Sequence, residues 1–72
     1  MTAPEKLNGK QKVFEETFES PLEKDTEADA LKVLDDIREI HDEAHGWVEI
    51  EGYAEQLPNG KWRAVRYHAK YE

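Results

Sequence analysis

The chain has 72 residues, no cysteine and a formal net charge of −7. This length predicts one small domain, the absence of cysteine excludes disulfides and cysteine-based zinc or nucleophilic sites, and the negative charge disfavours general affinity for phosphate backbones. Because no signal-like apolar run follows Met1 and no stretch approaches the roughly 20 apolar residues of a membrane span, we expect a cytoplasmic protein without a membrane partner.

The N-terminal residues 1–12 carry no clear signal for a helix or a strand. They are polar, contain Pro4 and Gly9 and show no hydrophobic periodicity. This composition predicts a flexible N-terminal arm, so residues 13–72 would form a single small α+β domain.

Residues 13–20 contain two phenylalanines, Phe14 and Phe18, whose spacing places both on one face of either a strand or a helix. Val13, Thr17 and the phenylalanines prefer extended structure, and a lone hairpin needs a third strand for stability. We therefore predict a strand here. The alternative is a short first helix capped by Asn8.

An amphipathic helix is predicted to begin after Thr26, whose side chain can cap the amide of Asp29, and to end near Gly46. At about 100° per residue, the apolar residues share one face. That face consists of Ala30, Val33, Leu34, Ile37, Ile40, His41 and Ala44, with Leu31 at its margin. The opposite face is acidic and consists of Asp35, Asp36, Glu39, Asp42 and Glu43.

The last third of the chain predicts a hairpin with a two-residue loop at Asn59-Gly60, the dipeptide best suited to a type I′ turn. In that register one side of the hairpin is apolar, and the helix would cover it. Val48, Ile50, Gly52 and Ala54 would lie opposite Tyr71, Ala69, Tyr67 and Val65. On the other side Glu51 would lie opposite His68, Tyr53 opposite Arg66, and Leu57 opposite Trp62.

These elements predict a two-layer β-α-β-β fold, with one amphipathic helix packed on a small antiparallel sheet that ends in a C-terminal hairpin. The side of the sheet that carries Tyr53, Trp62 and Arg66 would stay open unless Leu7, Phe14, the N-terminal arm or a second copy of the chain covers it. Open, it would form a strip of aromatic and cationic side chains.

No catalytic or cofactor signature is complete. His41 and His45 have the spacing of the zinc-metalloprotease signature, but Asp42 stands where the glutamate base is needed and no third ligand is evident. There is no glycine-rich phosphate loop and no serine nucleophile elbow. We therefore expect no enzymatic activity, no cofactor and no functional metal site.

The charge distribution gives the functional prediction. Residues 25–51 hold ten acidic and two basic side chains, so the acidic helix face could dock on a larger basic protein or nucleoprotein complex. By analogy in size and charge, this predicts a phage-type or mobile-element inhibitor of a nucleic-acid-handling complex. The predicted contact residues are Asp35, Asp36, Glu39, Asp42 and Glu43, with Tyr53, Trp62 and Arg66 as a second surface.

Two alternatives use the open side of the hairpin instead of the helix. The first is a nucleic-acid-binding module, in which aromatic rings stack on bases and basic side chains contact phosphates. The second is a structural homodimer that pairs the same surface with itself.

Overall fold

The computed structural model describes residues 2–42 and 46–72, excluding the side chains of His41 and Asp42. The elements are β1 (Lys6–Leu7), β2 (Lys10–Glu19), α1 (Glu27–Asp42), β3 (Trp47–Gln56) and β4 (Trp62–Tyr71). All strand pairs are antiparallel, the strand order is β1-β2-β4-β3, and α1 packs on β3 and β4. The α+β fold with its C-terminal hairpin is confirmed, and β2 confirms the strand predicted for residues 13–20.

The N-terminal residues predicted as an arm form part of the sheet. Lys6 lies opposite Gln11 and Leu7 opposite Lys10, joined by a two-residue turn in which Asn8 and Gly9 have φ angles of 51° and 78°. Positive φ at both turn positions is the requirement of a type I′ turn. Residues 6–7 and 10–12 therefore belong to strands, and the boundary placed at residue 12 falls inside β2.

The helix begins where the sequence predicts. The Asp29 amide donates to Thr26 Oγ1 at 3.2 Å, and acidic residues occupy the first turn, where the helix dipole favours them. The inner face buries Ala30, Val33, Leu34 and Ile37. Within the described ranges, no helix is both long and apolar enough to cross a membrane.

Ile40, which was predicted to be in the core, is 68% exposed. A Cβ on Gly52 of β3 would meet the side chains of Leu34 and Arg38 at 2.9 Å, so that side of α1 faces β3. Ile40 lies about 120° around the helix from Leu34. Val33 lies on the same margin as Ile40 and is buried, so this angle alone does not account for the exposure of Ile40, which lies nearer the C-terminal end of α1.

The hairpin loop has three residues, not the predicted two. The Leu57 amide donates to the Lys61 carbonyl at 2.7 Å, the Gly60 amide donates to the Leu57 carbonyl at 2.9 Å, and φ of Gly60 is 86°. A type I turn followed by a glycine with positive φ is the usual three-residue loop. The predicted type I′ turn at Asn59-Gly60 is therefore wrong, and the strand register moves by one residue.

In the shifted register, the side chains of residues 51–56 of β3 lie on the opposite side relative to β4 from the one predicted. Gly52 lies opposite Arg66, Tyr53 opposite Val65, and Glu51 opposite Tyr67. The predicted pairs of Tyr53 with Arg66 and of Glu51 with His68 are therefore wrong. A bulge between Glu49 and Glu51 shifts the register again, so that Val48, opposite Ala69, keeps its predicted side.

The helix consequently packs on the side of β4 opposite to the predicted one, whereas Gly52 of β3 lies under the helix as predicted. Val33, Leu34 and Ile37 of α1 form a cluster with Ala64 of β4. On the other side, Ala3 packs with Ala69 and Tyr71, and the partly buried Leu7, Val48, Ile50 and Tyr67 surround this second cluster. The N-terminal segment thus covers the apolar side that we expected the helix to cover.

A substitution at Gly46, the residue before β3, tests this geometry. Its φ is 82°, and a Cβ there would lie 2.5 Å from the carbonyl oxygen of Tyr71. We expect Gly46→Ala to destabilise the protein by about 2 kcal/mol, because the positive φ and a backbone clash both oppose the methyl group. Gly9→Ala, with a φ of 78° but open space around it, should cost about half as much. Urea denaturation of both variants measures the difference, and equal costs would show that the contact with Tyr71 is absent.

Candidate protein-binding surface

The outer face of α1 carries the predicted acidic surface. Asp35, Asp36 and Glu39 are exposed, because the positions that point inward are those occupied by the buried aliphatic side chains. Asp42 belongs to α1, but its side chain and all of Glu43 lie outside the described residues. The structure therefore brings three of the five predicted acids together on one helix face.

Part of this negative charge is balanced within the fold. Arg38 donates from Nη1 to Asp35 Oδ1 at 3.1 Å, and from Nε and Nη2 to the two carboxylate oxygens of Glu49 at 2.8 and 2.9 Å. Within the described residues no ion pair involves Asp36 or Glu39. These two side chains therefore present the least compensated charge of the helix face.

Beneath the helix, Glu49 links α1 to β4. Its Oε1 lies 3.3 Å from Nε of Arg66, a side chain that is only 1% exposed. The hydrogen bonds from Arg38 hold the pKa of Glu49 below its usual value, against the opposing effect of burial, and the same pair raises the pKa of Arg38. The prediction of Arg66 as part of an exposed contact surface is wrong, since the register places this residue under α1.

Tyr53 and Trp62 do not join Arg66 in one surface. Tyr53 is 40% exposed and points to the other side of the sheet, opposite Val65. Trp62 is half-buried on the helix side, where its backbone exchanges two hydrogen bonds of 2.7 Å with Lys24. The three-residue loop is the cause, because it exchanges the faces of β3 relative to β4, and the predicted strip of aromatic and cationic side chains is not formed.

Sequence reasoning missed a second exposed surface, on the helix side of β2. Phe14 and Phe18 are 53% and 37% exposed, because α1 packs on β3 and β4. Between them, Glu16 Oε1 lies 2.7 Å from Nε2 of His68, and Phe14 meets Trp47 edge to face with ring centroids 5.9 Å apart. The signal in the sequence was a strand whose two phenylalanines stand among glutamates and lysines, a composition typical of a sheet edge.

The described residues offer a surface for docking, without a pocket for a small molecule. No concave cavity is found among them, and no cluster of three or more His, Asp or Glu side chains has metal-binding geometry. The pair His41 and His45 lies outside the described side chains, so this motif stays untested. Comparison of the chain with protein-family models, curated proteins and solved structures found no match.

Proposed function

We propose that the protein is a small non-enzymatic binding module that docks the outer face of α1 on a larger, basic protein. The observation that carries this proposal is the sidedness of the helix, whose inner face is packed on the sheet while Asp35, Asp36 and Glu39 point outward. A rigid row of carboxylates attracts a positively charged surface and orients it during encounter.

The partner class follows from the same charge. A groove that normally binds nucleic acid is lined by lysine and arginine, and closely spaced carboxylates can occupy it in place of phosphates. This favours a cytoplasmic inhibitor of a nucleic-acid-handling complex, of the kind that phages and mobile elements encode, by analogy in size and charge.

The structure gives the two alternatives less support than it gives to docking by the helix. Nucleic-acid binding through the hairpin would use Arg63, Arg66 and Lys70 to contact phosphates. Arg66 is buried, and Arg63 lies 3.1 Å from Glu19 and 2.8 Å from Glu55. The self-complementary face of the homodimer required aromatic residues that the structure divides between two sides of the sheet. No observation favours either alternative over docking by the helix.

The test compares two variants that change the net charge equally. Wild-type protein is immobilised to capture partners from a lysate of its source organism, and the association rate of each captured protein is then measured. We expect Asp36→Lys combined with Glu39→Lys to slow association about tenfold at low salt, because steering depends on local charge. Glu51→Lys combined with Glu72→Lys, at exposed positions away from α1, should change it much less.

Equal association rates for the two double variants would refute docking through the helix face. Added salt should narrow the difference between them, since screening weakens the steering of exposed charges.

A further inference from the structure

The outer edge of β2 is open over most of its length. β1 pairs only with Lys10 and Gln11, and the last contact on that side is the Lys12 amide, which donates to the Glu5 carbonyl at 2.8 Å. From residue 13 to residue 19, no strand of the described chain lies on the outer side of β2. A ten-residue strand therefore has a free edge for about two thirds of its length.

The direction of the free backbone groups follows from one hydrogen bond. The Ser20 amide donates to the Ala64 carbonyl of β4 at 2.9 Å. Because amides along a strand alternate in direction, those of Phe18 and Glu16 also point to β4. The N–H and C=O groups of Glu15, Thr17 and Glu19 then point outward, and we call these groups the β2 edge.

The side chains next to the β2 edge are apolar and acidic. Val13 and Phe14 are both 53% exposed, and Phe18 is 37% exposed. Glu15 and Glu16 lie between Phe14 and Phe18, and Glu19 follows Phe18. Their carboxylates contact Lys12, His68 and Arg63, and their side chains remain 42%, 45% and 49% exposed. Exposed apolar side chains beside unpaired strand amides are the features with which edge strands bind extended segments of other chains.

The charge of β2 indicates which kind of chain would bind the β2 edge. A second copy pairing antiparallel about Glu16 would bring two glutamates directly opposite each other, and like charges at that position are destabilising. A basic segment would replace this repulsion by attraction and could lay apolar side chains on Phe14 and Phe18. We propose that the β2 edge binds an extended, lysine- or arginine-bearing segment of a protein partner, which adds a fifth strand to the sheet.

This site is distinct from the outer face of α1, so the inference goes beyond the function proposed above. In an antiparallel complex the segment would place basic residues opposite Glu15, Glu16 and Glu19, and apolar residues opposite Phe14 and Phe18. The residue opposite Thr17 can be any residue that favours extended structure.

The test uses a synthetic peptide that follows this pattern, acetyl-Lys-Ile-Thr-Lys-Lys-Ile-Thr-amide, whose first residue would face Glu19. Binding is measured by titration, and amide hydrogen exchange at Glu15, Thr17 and Glu19 is followed by NMR. We expect exchange at these three amides to slow about tenfold or more at saturating peptide, because each gains a hydrogen-bond partner.

Two peptide controls separate backbone pairing from charge attraction. N-methylation of the third and fifth peptide residues removes donors that face the β2 edge and should weaken binding about tenfold. The same modification at the second and fourth residues, whose amides face away, should have a much smaller effect. A peptide with glutamate in place of every lysine should bind at least about tenfold more weakly at low salt.

Two protein variants complete the test. Thr17→Pro removes one outward donor and is expected to keep the fold, since that amide does not pair with β4, whereas Thr17→Val leaves the donor in place. Only the proline variant should lose affinity for the peptide. The Asp36→Lys and Glu39→Lys double variant should bind the peptide within about threefold of the wild type, which distinguishes this site from the helix face.

Several results would overturn the proposal: equal binding of the lysine and glutamate peptides, equal effects of the two N-methylation patterns, or no binding of the lysine peptide at millimolar concentration. A dimer whose β2 amides are protected without peptide would assign the edge to a second copy of the chain.

Discussion

Replacing Glu49 by glutamine is expected to lower the free energy of unfolding by about 3 kcal/mol at neutral pH. The carboxylate accepts two hydrogen bonds from Arg38, at 2.8 and 2.9 Å, and lies 3.3 Å from Nε of the buried Arg66. Without its negative charge, two guanidinium groups of like charge would share a half-buried site. Removing one partner of such a network costs more than the pair itself contributes.

The same carboxylate makes stability depend on pH in a defined direction. Hydrogen bonds from Arg38 lower the pKa of Glu49 from its usual 4.5. Its stabilising effect is therefore fully present above about pH 4.5 and is lost as the pH falls through the lower value of the folded state. Glu49→Gln should flatten this acid limb, because glutamine does not titrate.

Urea denaturation of wild type and Glu49→Gln between pH 7 and pH 2 measures both effects. Asp35→Asn is the matched control, since it breaks only the exposed contact with Arg38 and should change stability by less than about 0.5 kcal/mol. Parallel acid limbs for wild type and Glu49→Gln would show that the network contributes nothing in solution.

Deleting the first five residues is expected to lower the free energy of unfolding by about 3 kcal/mol, because buried apolar surface and hydrogen bonds are lost. Ala3 is 3% exposed against Ala69 and Tyr71, and the Tyr71 hydroxyl donates to the Pro4 carbonyl at 2.7 Å. The deletion would expose the ring of Tyr71 and leave its hydroxyl without that acceptor. Since the free energy of unfolding of a small domain is only about 5 kcal/mol, the truncated chain should be partly unfolded at 37 °C.

Thermal denaturation, followed by circular dichroism, measures the effect of the deletion. Tyr71→Phe removes only the hydroxyl and should cost about 1 kcal/mol, whereas Tyr53→Phe, at an exposed tyrosine, should cost less than about 0.5 kcal/mol. A deletion variant as stable as the wild type would mean that the N-terminal segment does not pack on the sheet.

The helix and the three long strands were predictable because each has a local cause, whereas β1 was not predicted. The Thr26 cap and the apolar period of α1 locate the helix, and the preference of Val13 and Thr17 for extended structure gives β2. The acidic helix face follows from the same period. Long-range packing decides whether Ile40 and Phe14 are buried, so their exposure does not follow from periodicity.

The hairpin register depends on Pro58, which precedes the second of two Asn-Gly pairs. The chain contains Asn-Gly twice, and the type I′ turn forms at Asn8-Gly9. At the second site Pro58 precedes the pair, and its fixed φ suits the first central position of a type I turn, which leaves Gly60 to take the positive φ. That proline was the available signal for a three-residue loop.

The burial of Arg66 could not be predicted from the pattern of β4 alone. Arg66 alternates with Val65 and Tyr67, so the strand pattern gives the two sides but not which one receives the helix. Which side of β4 faces the helix depends on the loop length and on the bulge between Glu49 and Glu51. Each of these features shifts the pairing register of all residues that follow it in the hairpin. Of the three predicted contact residues of the hairpin, Arg66 and Trp62 lie on the helix side for this reason, while Tyr53 stays exposed on the other side.

The strand order β1-β2-β4-β3 places the last strand of the chain in the interior of the sheet. β3 pairs only with β4, and β2 pairs with β4 along most of its length. During synthesis the ribosome therefore releases two long strands and a helix before the segment that joins them exists. Because β2 and β4 are distant in sequence, these two strands can pair only after β4 has been synthesised, and a nascent chain stopped short of residue 62 has no central strand on which to fold.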